Sequence, residues 1–319
     1  MKENKDKKRV GILRGGGEDD HLSSIEQSAI LITQIIENLS DKYKIVDVLV
    51  DRNGVWHING IQAKPADLMH RVDVVWNTAQ SSLSSVLKQF SISFVGVSSF
   101  AHSMGNNRTL LEQHIKDLDI KMPRHIVLPV YQKDFDGFYG SKANYANRKA
   151  LEVFQKFAGP WIVRSLTENS NAGVHVAKTL PELKEAIEDM MKHGTSILVE
   201  ELIVGKIVPV HSLRGFRGDL PALPNRREQA RDIYTFPLVG SFSREEKEKI
   251  SMLAKRLYHH LAEHFYLKSN FLLTPKGSVY LTGVFFNPNI KKTSHLSQSL
   301  ESVGAKMHHL IEHILEQVS

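Results

Sequence analysis

Two alternating apolar runs, Asn270-Phe271-Leu272-Leu273 and Ser278-Val279-Tyr280-Leu281, are joined by Thr274-Pro275-Lys276-Gly277. Strand-like runs linked through four residues with Pro and Gly predict a β-hairpin. On that pattern alone, a structural hairpin at a domain edge is the simpler reading. The segment after the hairpin is less ordinary: Asn287-Pro288-Asn289, then Lys291-Lys292, then Thr293-Ser294-His295 ahead of a last helical stretch.

The rest of the chain alternates strand and helix signals. Val10-Gly11-Ile12-Leu13 runs into Arg14-Gly15-Gly16-Gly17, and residues 25–39 then carry apolar side chains near a helical repeat. Strand, glycine turn and helix open an α/β unit. The three glycines lack the spacing of a dinucleotide fingerprint. Further strands are expected over 43–50, 72–76, 92–97 and 126–128, with a small hairpin over 51–60 turning at Asn53-Gly54 and Asn59-Gly60. A helix is expected over 109–118, and residues 131–155 have mixed helical periodicity. Thr179 with Glu182 and Ser243 with Glu246 have capping-box spacing and should start two more helices, the second reaching about His264. Leu253, Leu257, Leu261 and Phe265 give that second helix a core face. The histidine pairs 260/264 and 309/313 have metal-ligand spacing, but surface helical histidines are the better reading.

With 319 residues, 41% hydrophobic and 24% charged, the chain suits a globular protein of two or three domains. No apolar run is long enough to span a membrane. The charged start MKENKDKKR lacks the apolar core of a signal peptide, and the absence of cysteine suits a reducing cytoplasm. The net charge of +6 would suit an anionic ligand. Its basic residues are spread out and no nucleic-acid motif accompanies them, so a nucleic-acid module is the last of the readings. The arginines between 217 and 231 read as a solvated cationic face.

From Gly15 to the last helix, the order of these segments resembles the D-alanine–D-alanine ligases of the ATP-grasp superfamily. The resemblance implies an α/β fold of three domains. These are an N-terminal α/β (Rossmann-like) domain over 1–102, a central ATP-grasp domain over 103–212 and a C-terminal ATP-grasp domain over 213–319. The nucleotide cleft is then expected between the second and third. In the family the first hairpin strand carries an Arg and, two residues on, an Asp; here these positions hold Lys268 and Asn270. The second strand runs into Glu-x-Asn-x-x-Pro. One register puts Gly283 at the Glu and Phe285 at the Asn, while another, allowing two extra residues near Lys291 and Lys292, puts Phe285 and Asn287 there. Neither supplies a carboxylate, and Mg²⁺ is held by carboxylates and phosphates.

Elsewhere the resemblance sets Arg164 at an ATP-binding Lys, with charge kept and fork geometry changed. Residues 165–174 match the phosphate-covering loop in length and in Ser170, Gly173 and Val174. Glu200 matches the Glu near the adenine amine, and Ile207 stands where a Glu takes the ribose. Asp20 falls at or beside a substrate-side Glu, although an acidic helix start is an equally good account of it. The phosphate-binding Lys after Met104 is missing, with Arg108 a candidate substitute, and Ala79 stands at a further Glu. The implied catalytic set is therefore Lys268, Ser170 and Asp20. The implied cofactor-binding set is Arg164, Ser170, Gly173, Glu200 and Asn270, with no metal ligand. ATP is expected to bind weakly and Mg²⁺ not at its usual site. The expected partner is a nucleotide or small molecule, with no membrane and with a homodimer, typical of the family, allowed. Ligation of two D-alanines for cell-wall peptide precursors is the implied activity, weak or lost. The alternative is a non-catalytic binder of a nucleotide, small ligand or partner protein.

Overall fold

The computed structural model describes residues 7–17, 21–132, 142–166, 173–216, 233–238, 240–261 and 265–318. They form an α/β fold with three sheets. Contacts group the chain into two compact units, one of residues 1–102, 209–269 and 284–319, the other of residues 103–208 and 270–283. Among the described residues no helix is long and apolar enough to cross a membrane.

The first unit begins with β1 (Lys8–Gly15), α1 (His21–Asn38), β2 (Tyr43–Val50), β3 (Trp56–Ile58), β4 (Ile61–Ala63), β5 (Val74–Asn77), α2 (Ser82–Gln89) and β6 (Phe94–Val95). These strands make one sheet in the order β4-β3-β2-β1-β5-β6. β1 pairs in parallel with β2 and β5, and β3 and β4 add antiparallel ribbons at one edge. A parallel sheet needs cover on both faces, and β1 shows how it is supplied. Val10 and Ile12 point into one apolar cluster with Leu31 and Ile35 of α1, whereas Leu13 joins another with Leu83 and Leu87 of α2. The Asn59-Gly60 turn between β3 and β4 has φ of 51° and 78° at its two residues, the left-handed pair that a tight two-residue hairpin requires.

β6 is shorter than the six-residue strand expected over 92–97. It pairs on one side only, through Phe94 and Val95. The Ser98 hydroxyl then accepts a hydrogen bond from the Ala101 amide at 3.1 Å and starts α3 (Ser99–Asn106). The cap turns the chain before a longer strand can form.

The second unit holds α4 (Arg108–Ile115), β7 (His125–Leu128), α5 (Lys142–Lys156), β8 (Trp161–Ser165), β9 (Val174–Ala177), α6 (Leu180–Met190) and β10 (Ile197–Glu201). Its antiparallel sheet has the order β7-β10-β8-β9. One face buries Val163, Ala177, Ile197 and Val199 against Ala146, Ala150 and Val153 of α5 and Leu183 and Ile187 of α6. At the start of α6 the Thr179 hydroxyl accepts from the Glu182 amide, as its spacing predicts. The Glu182 carboxylate also reaches one residue further back, to the Lys178 amide at 2.8 Å.

A third sheet runs β12-β11-β13-β14, with β11 (Lys206–Arg214), β12 (Ile233–Thr235), β13 (Tyr266–Leu273) and β14 (Val279–Phe285). Between β12 and β13 lies α7 (Arg244–His260), opened by a capping box of Ser243 and Glu246. The helix ends four residues short of the expected His264, which lies outside the described residues. The expected hairpin of β13 and β14 turns through Thr274, whose hydroxyl accepts from the Ser278 amide at 3.0 Å, and through Gly277 at φ 75°. After β14 come α8 (His295–Glu301) and α9 (Met307–Val318).

Candidate functional site

In the second unit, register decides which side chains meet. β8 and β10 pair Arg164 with Leu198 and Ile162 with Glu200, and β8 and β9 pair Arg164 with Val174. Side chains alternate along a strand, so Arg164, Glu200, Val174 and Val176 share the face turned away from α5 and α6. Glu200 lies diagonally across from Arg164, within reach of a long side chain. The Arg164 Nε and Nη2 donate to Glu200 Oε2 at 3.3 and 3.2 Å. Arg108, in the first turn of α4, brings Nη2 to 3.0 Å from Glu200 Oε1. The Asn107 side chain caps that helix by accepting from the Leu110 amide at 3.0 Å, which fixes where Arg108 starts.

The result is a triad in which one carboxylate balances two guanidinium groups. Arg108 and Glu200 are only 7% and 6% exposed. Three residues singled out in the sequence, Arg108, Arg164 and Glu200, are thus brought together, and Glu200 is a partner of both arginines. Beside them Val174 and Val176 are 64% and 51% exposed, an apolar strip on the same face. Gly173 opens β9 with φ of 76°, a backbone conformation that costs glycine little. The adjoining Glu201 is held by the Arg124 fork with two bonds of 2.9 Å, and its carboxyl is pushed below the usual range chiefly by that fork. Ile207, at the ribose position of the resemblance, is 72% exposed.

Also in this unit, the Asn270 backbone oxygen accepts from the Thr282 hydroxyl at 3.0 Å. Its side-chain oxygen, Oδ1, is buried with no hydrogen-bond partner. Asp20 and Ser170 lie outside the described residues.

In the first unit, Lys268 carries its ammonium 4.6 Å above the ring of Phe285, a cation–π contact. Electrostatically coupled to it is a buried chain that the sequence did not reveal. His211 Nδ1 lies 2.6 Å from the Tyr266 hydroxyl, and His211 Nε2 lies 3.3 Å from His295 Nδ1. Burial, then the nearby His295 and Lys268, push the His211 pKa down to about 3. Burial, then Lys268, lower that of His295, and burial raises that of the Tyr266 phenol. All three are therefore neutral near pH 7. In the sequence His295 belongs to the Thr293-Ser294-His295 segment after the hairpin, whereas His211 and Tyr266 read only as strand residues.

The expected substrate-side turn is closely built. Gly15 has φ of 87°, and a Cβ there would meet the Val50 carbonyl oxygen at 2.2 Å, so glycine is required. The Gly15 amide donates to the Ser24 hydroxyl at 2.9 Å, and the Thr78 hydroxyl donates to the Leu13 carbonyl at 3.0 Å. Ala79 has its amide bonded to the Asn77 side chain at 2.9 Å. A cavity of about 530 Å³ lined by Val210, Phe236, Leu238, Met252, Lys247 and Lys255 contains none of the expected site residues. Of the helical histidines, His313 Nε2 lies 2.8 Å from the Arg214 carbonyl and His309 Nδ1 accepts from the Lys306 amide at 3.0 Å. Each ring is used in local structure. Among the described residues no cluster of three or more His, Cys, Asp or Glu is arranged to hold a metal.

Comparison with known proteins agrees with this architecture. The family model described as "D-ala D-ala ligase C-terminus" matches residues 128–316. A D-alanine–D-alanine ligase of Oceanobacillus iheyensis is 21% identical, with 97% of this chain and 94% of the relative covered. The corresponding Bacillus pumilus ligase is 20% identical, with 96% and 94% covered. Among solved structures, the VanG D-Ala:D-Ser ligase of Enterococcus faecalis superposes with a TM-score of 0.74 at 15% identity, covering 98% of this chain and 100% of that one. The Bacillus anthracis D-alanine–D-alanine ligase complexed with ATP gives 0.69 at 17% identity, covering 97% and 96%. With the sheets in this order and more than half its length matched by the family model, the chain belongs to the D-alanine–D-alanine ligase family.

Proposed function

We propose that this chain is a ligase-fold binding protein for a nucleotide or a small anionic ligand, with little or no D-alanyl-D-alanine formation. The observation that carries the reading is the Arg108–Glu200–Arg164 triad. A carboxylate that receives two guanidinium groups has little capacity left for an adenine amine. An arginine tied to that carboxylate is likewise less available to a phosphate. The exposed Val174 and Val176 still offer an apolar surface beside these charges, which suits a flat or aliphatic ligand with an anionic end.

The residues at the family's metal positions do not fit Mg²⁺. Asn270 contributes one neutral oxygen; Gly283 in one register adds no side chain, and Asn287 in the other adds only a second neutral oxygen. Phe285 presents a ring that already faces the ammonium of Lys268. A hard divalent ion needs carboxylate oxygens at close to octahedral positions. Phosphoryl transfer and the later tetrahedral intermediate both need preorganised cations, and loss of one such donor typically lowers turnover about 100- to 1,000-fold. Degraded motifs at several of these positions together account for weak or lost catalysis. The domain limits that go with this reading are 1–102, 103–212 and 213–319.

Calorimetric titration with ATP, with and without Mg²⁺, tests the reading. A dissociation constant in the millimolar range that changes little with Mg²⁺ is expected. Micromolar binding seen only with Mg²⁺ would mean that the metal is held by other residues.

A further inference from the structure

The Tyr266–His211–His295 chain has a direction that hydrogen-bond accounting fixes. The Tyr266 side chain is fully enclosed, and its hydroxyl has one partner, His211 Nδ1. If His211 carried its proton on Nδ1, it would donate to the phenol oxygen and leave the phenol proton with no acceptor. A buried donor left unmade is costly, so the phenol donates and Nδ1 accepts. Neutral His211 then carries its proton on Nε2 and donates it to His295 Nδ1, 3.3 Å away. Ser299 Oγ, 3.4 Å from the same nitrogen, can add a second weak donor there. His295, a half-buried residue, is left with its own proton on Nε2, an atom with no partner among the described residues.

We propose that Tyr266 and His211 are positioning residues that lock His295 in the Nε2–H tautomer. That N–H is a fixed neutral donor for a carboxylate or phosphoryl oxygen of the ligand. The assignment of a ligand to this donor rests on the proposed anion-binding function; the tautomer does not. A neutral donor suits this position because a second full cation beside Lys268 would be repelled by it. An imidazole held by a rigid relay also donates without first paying the entropy of orientation. The step involves no bond making or breaking, only the orientation of one N–H.

Long-range ¹H–¹⁵N correlation spectra of the histidines in the full chain at pH 7 read the tautomers directly. His211 and His295 should both show unprotonated Nδ1 and protonated Nε2. In Tyr266→Phe the phenol proton is gone, and His211 and His295 should both move to mixed tautomers. A wild-type His295 protonated on Nδ1 would overturn the relay even if the variant does not fold, as would an unchanged pattern in a folded Tyr266→Phe. For the ligand, inorganic phosphate and D-alanine are titrated separately into the wild type. A saturable shift of the His295 Nε2–H with phosphate alone assigns the donor to a phosphoryl group, and with D-alanine alone to a carboxylate. In His295→Gln the affinity for the responding probe should fall about 10- to 100-fold, as for the loss of a hydrogen bond to a charged group. No shift with either probe, with the tautomers as stated, would overturn the anion-donor role while leaving the relay in place. A shift with D-alanine together with full ligase activity would overturn the proposed function and not this donor.

Discussion

Replacing Glu200 by Gln should destabilise the second unit by about 3–5 kcal/mol, the usual consequence of removing one partner from a buried ionic cluster. The geometry says which arm matters more. Arg108 is 7% exposed and its contact is 3.0 Å, whereas the Arg164 contacts are 3.2 and 3.3 Å and its side chain is 22% exposed. In Glu200→Gln both cations persist without the carboxylate that faces them. In Arg108→Met the carboxylate keeps Arg164, so a smaller loss of about 1.5–3 kcal/mol is expected, that of a hydrogen bond to a charged group. Trp161 is 1% exposed in the core of the same unit and the chain has only two other tryptophans, Trp56 and Trp76. Urea unfolding followed by fluorescence in a Trp56→Phe, Trp76→Phe background therefore reports on this unit. At a slope of about 2 kcal/mol per M, the Glu200→Gln midpoint should drop by about 1.5–2.5 M. Folded Glu200→Gln protein should also bind phosphate more tightly, because Arg164 is released. A midpoint within about 0.3 M of the parent would refute the claim that this carboxylate balances buried cations.

Other changes test separate parts of the structure. His211 has a folded pKa of about 3 and an ordinary value near 6.5, so below pH 6.5 the unfolded chain takes up a proton that the folded chain refuses until about pH 3. Between pH 7 and 5 wild-type stability should fall by about 2 kcal/mol more than that of His211→Gln in parallel urea titrations; equal pH dependence would contradict the neutral buried imidazole. The Ser269 hydroxyl is buried without a partner, so Ser269→Ala should be neutral or stabilising by up to about 1 kcal/mol in thermal unfolding, and a clear loss would reveal a missed bond. Ser243→Ala removes the hydroxyl half of the α7 capping box and should cost about 0.5–2 kcal/mol, read by the same assay. Asn270→Asp combined with Gly283→Glu and Phe285→Asn rebuilds a carboxylate pair in one of the two registers. Gain of Mg²⁺-dependent ATP hydrolysis by that triple variant would support the register, and its absence would count against it.

The elements most legible in the sequence are those whose local signals agree. Residues 43–50 alternate in a way that only a strand accommodates, and β2 has those bounds. Asn59-Gly60 supplies the left-handed turn between β3 and β4, and Ser243 with Glu246 starts α7. Signals fail where a neighbour competes: Ser98, one residue past the expected strand, caps a helix and leaves β6 only Phe94 and Val95. In the site, Arg164 and Glu200 are recognisable one by one. That they hold each other depends on the pairing of β8 with β10, and Arg108 joins them from a helix far away in sequence. Tyr266 gives no signal at all, because a tyrosine in an alternating strand looks like any core aromatic until its hydroxyl is seen to face His211.

The most direct test of the account is phosphate release by the purified chain with ATP, Mg²⁺ and D-alanine, compared with an active ligase of the family under the same conditions. With no carboxylate at the proposed metal positions in either register and Glu200 tied to two arginines, turnover should be at least about 100- to 1,000-fold below that of the active enzyme. Turnover at the rate of the active enzyme, dependent on both Mg²⁺ and D-alanine, would contradict the account.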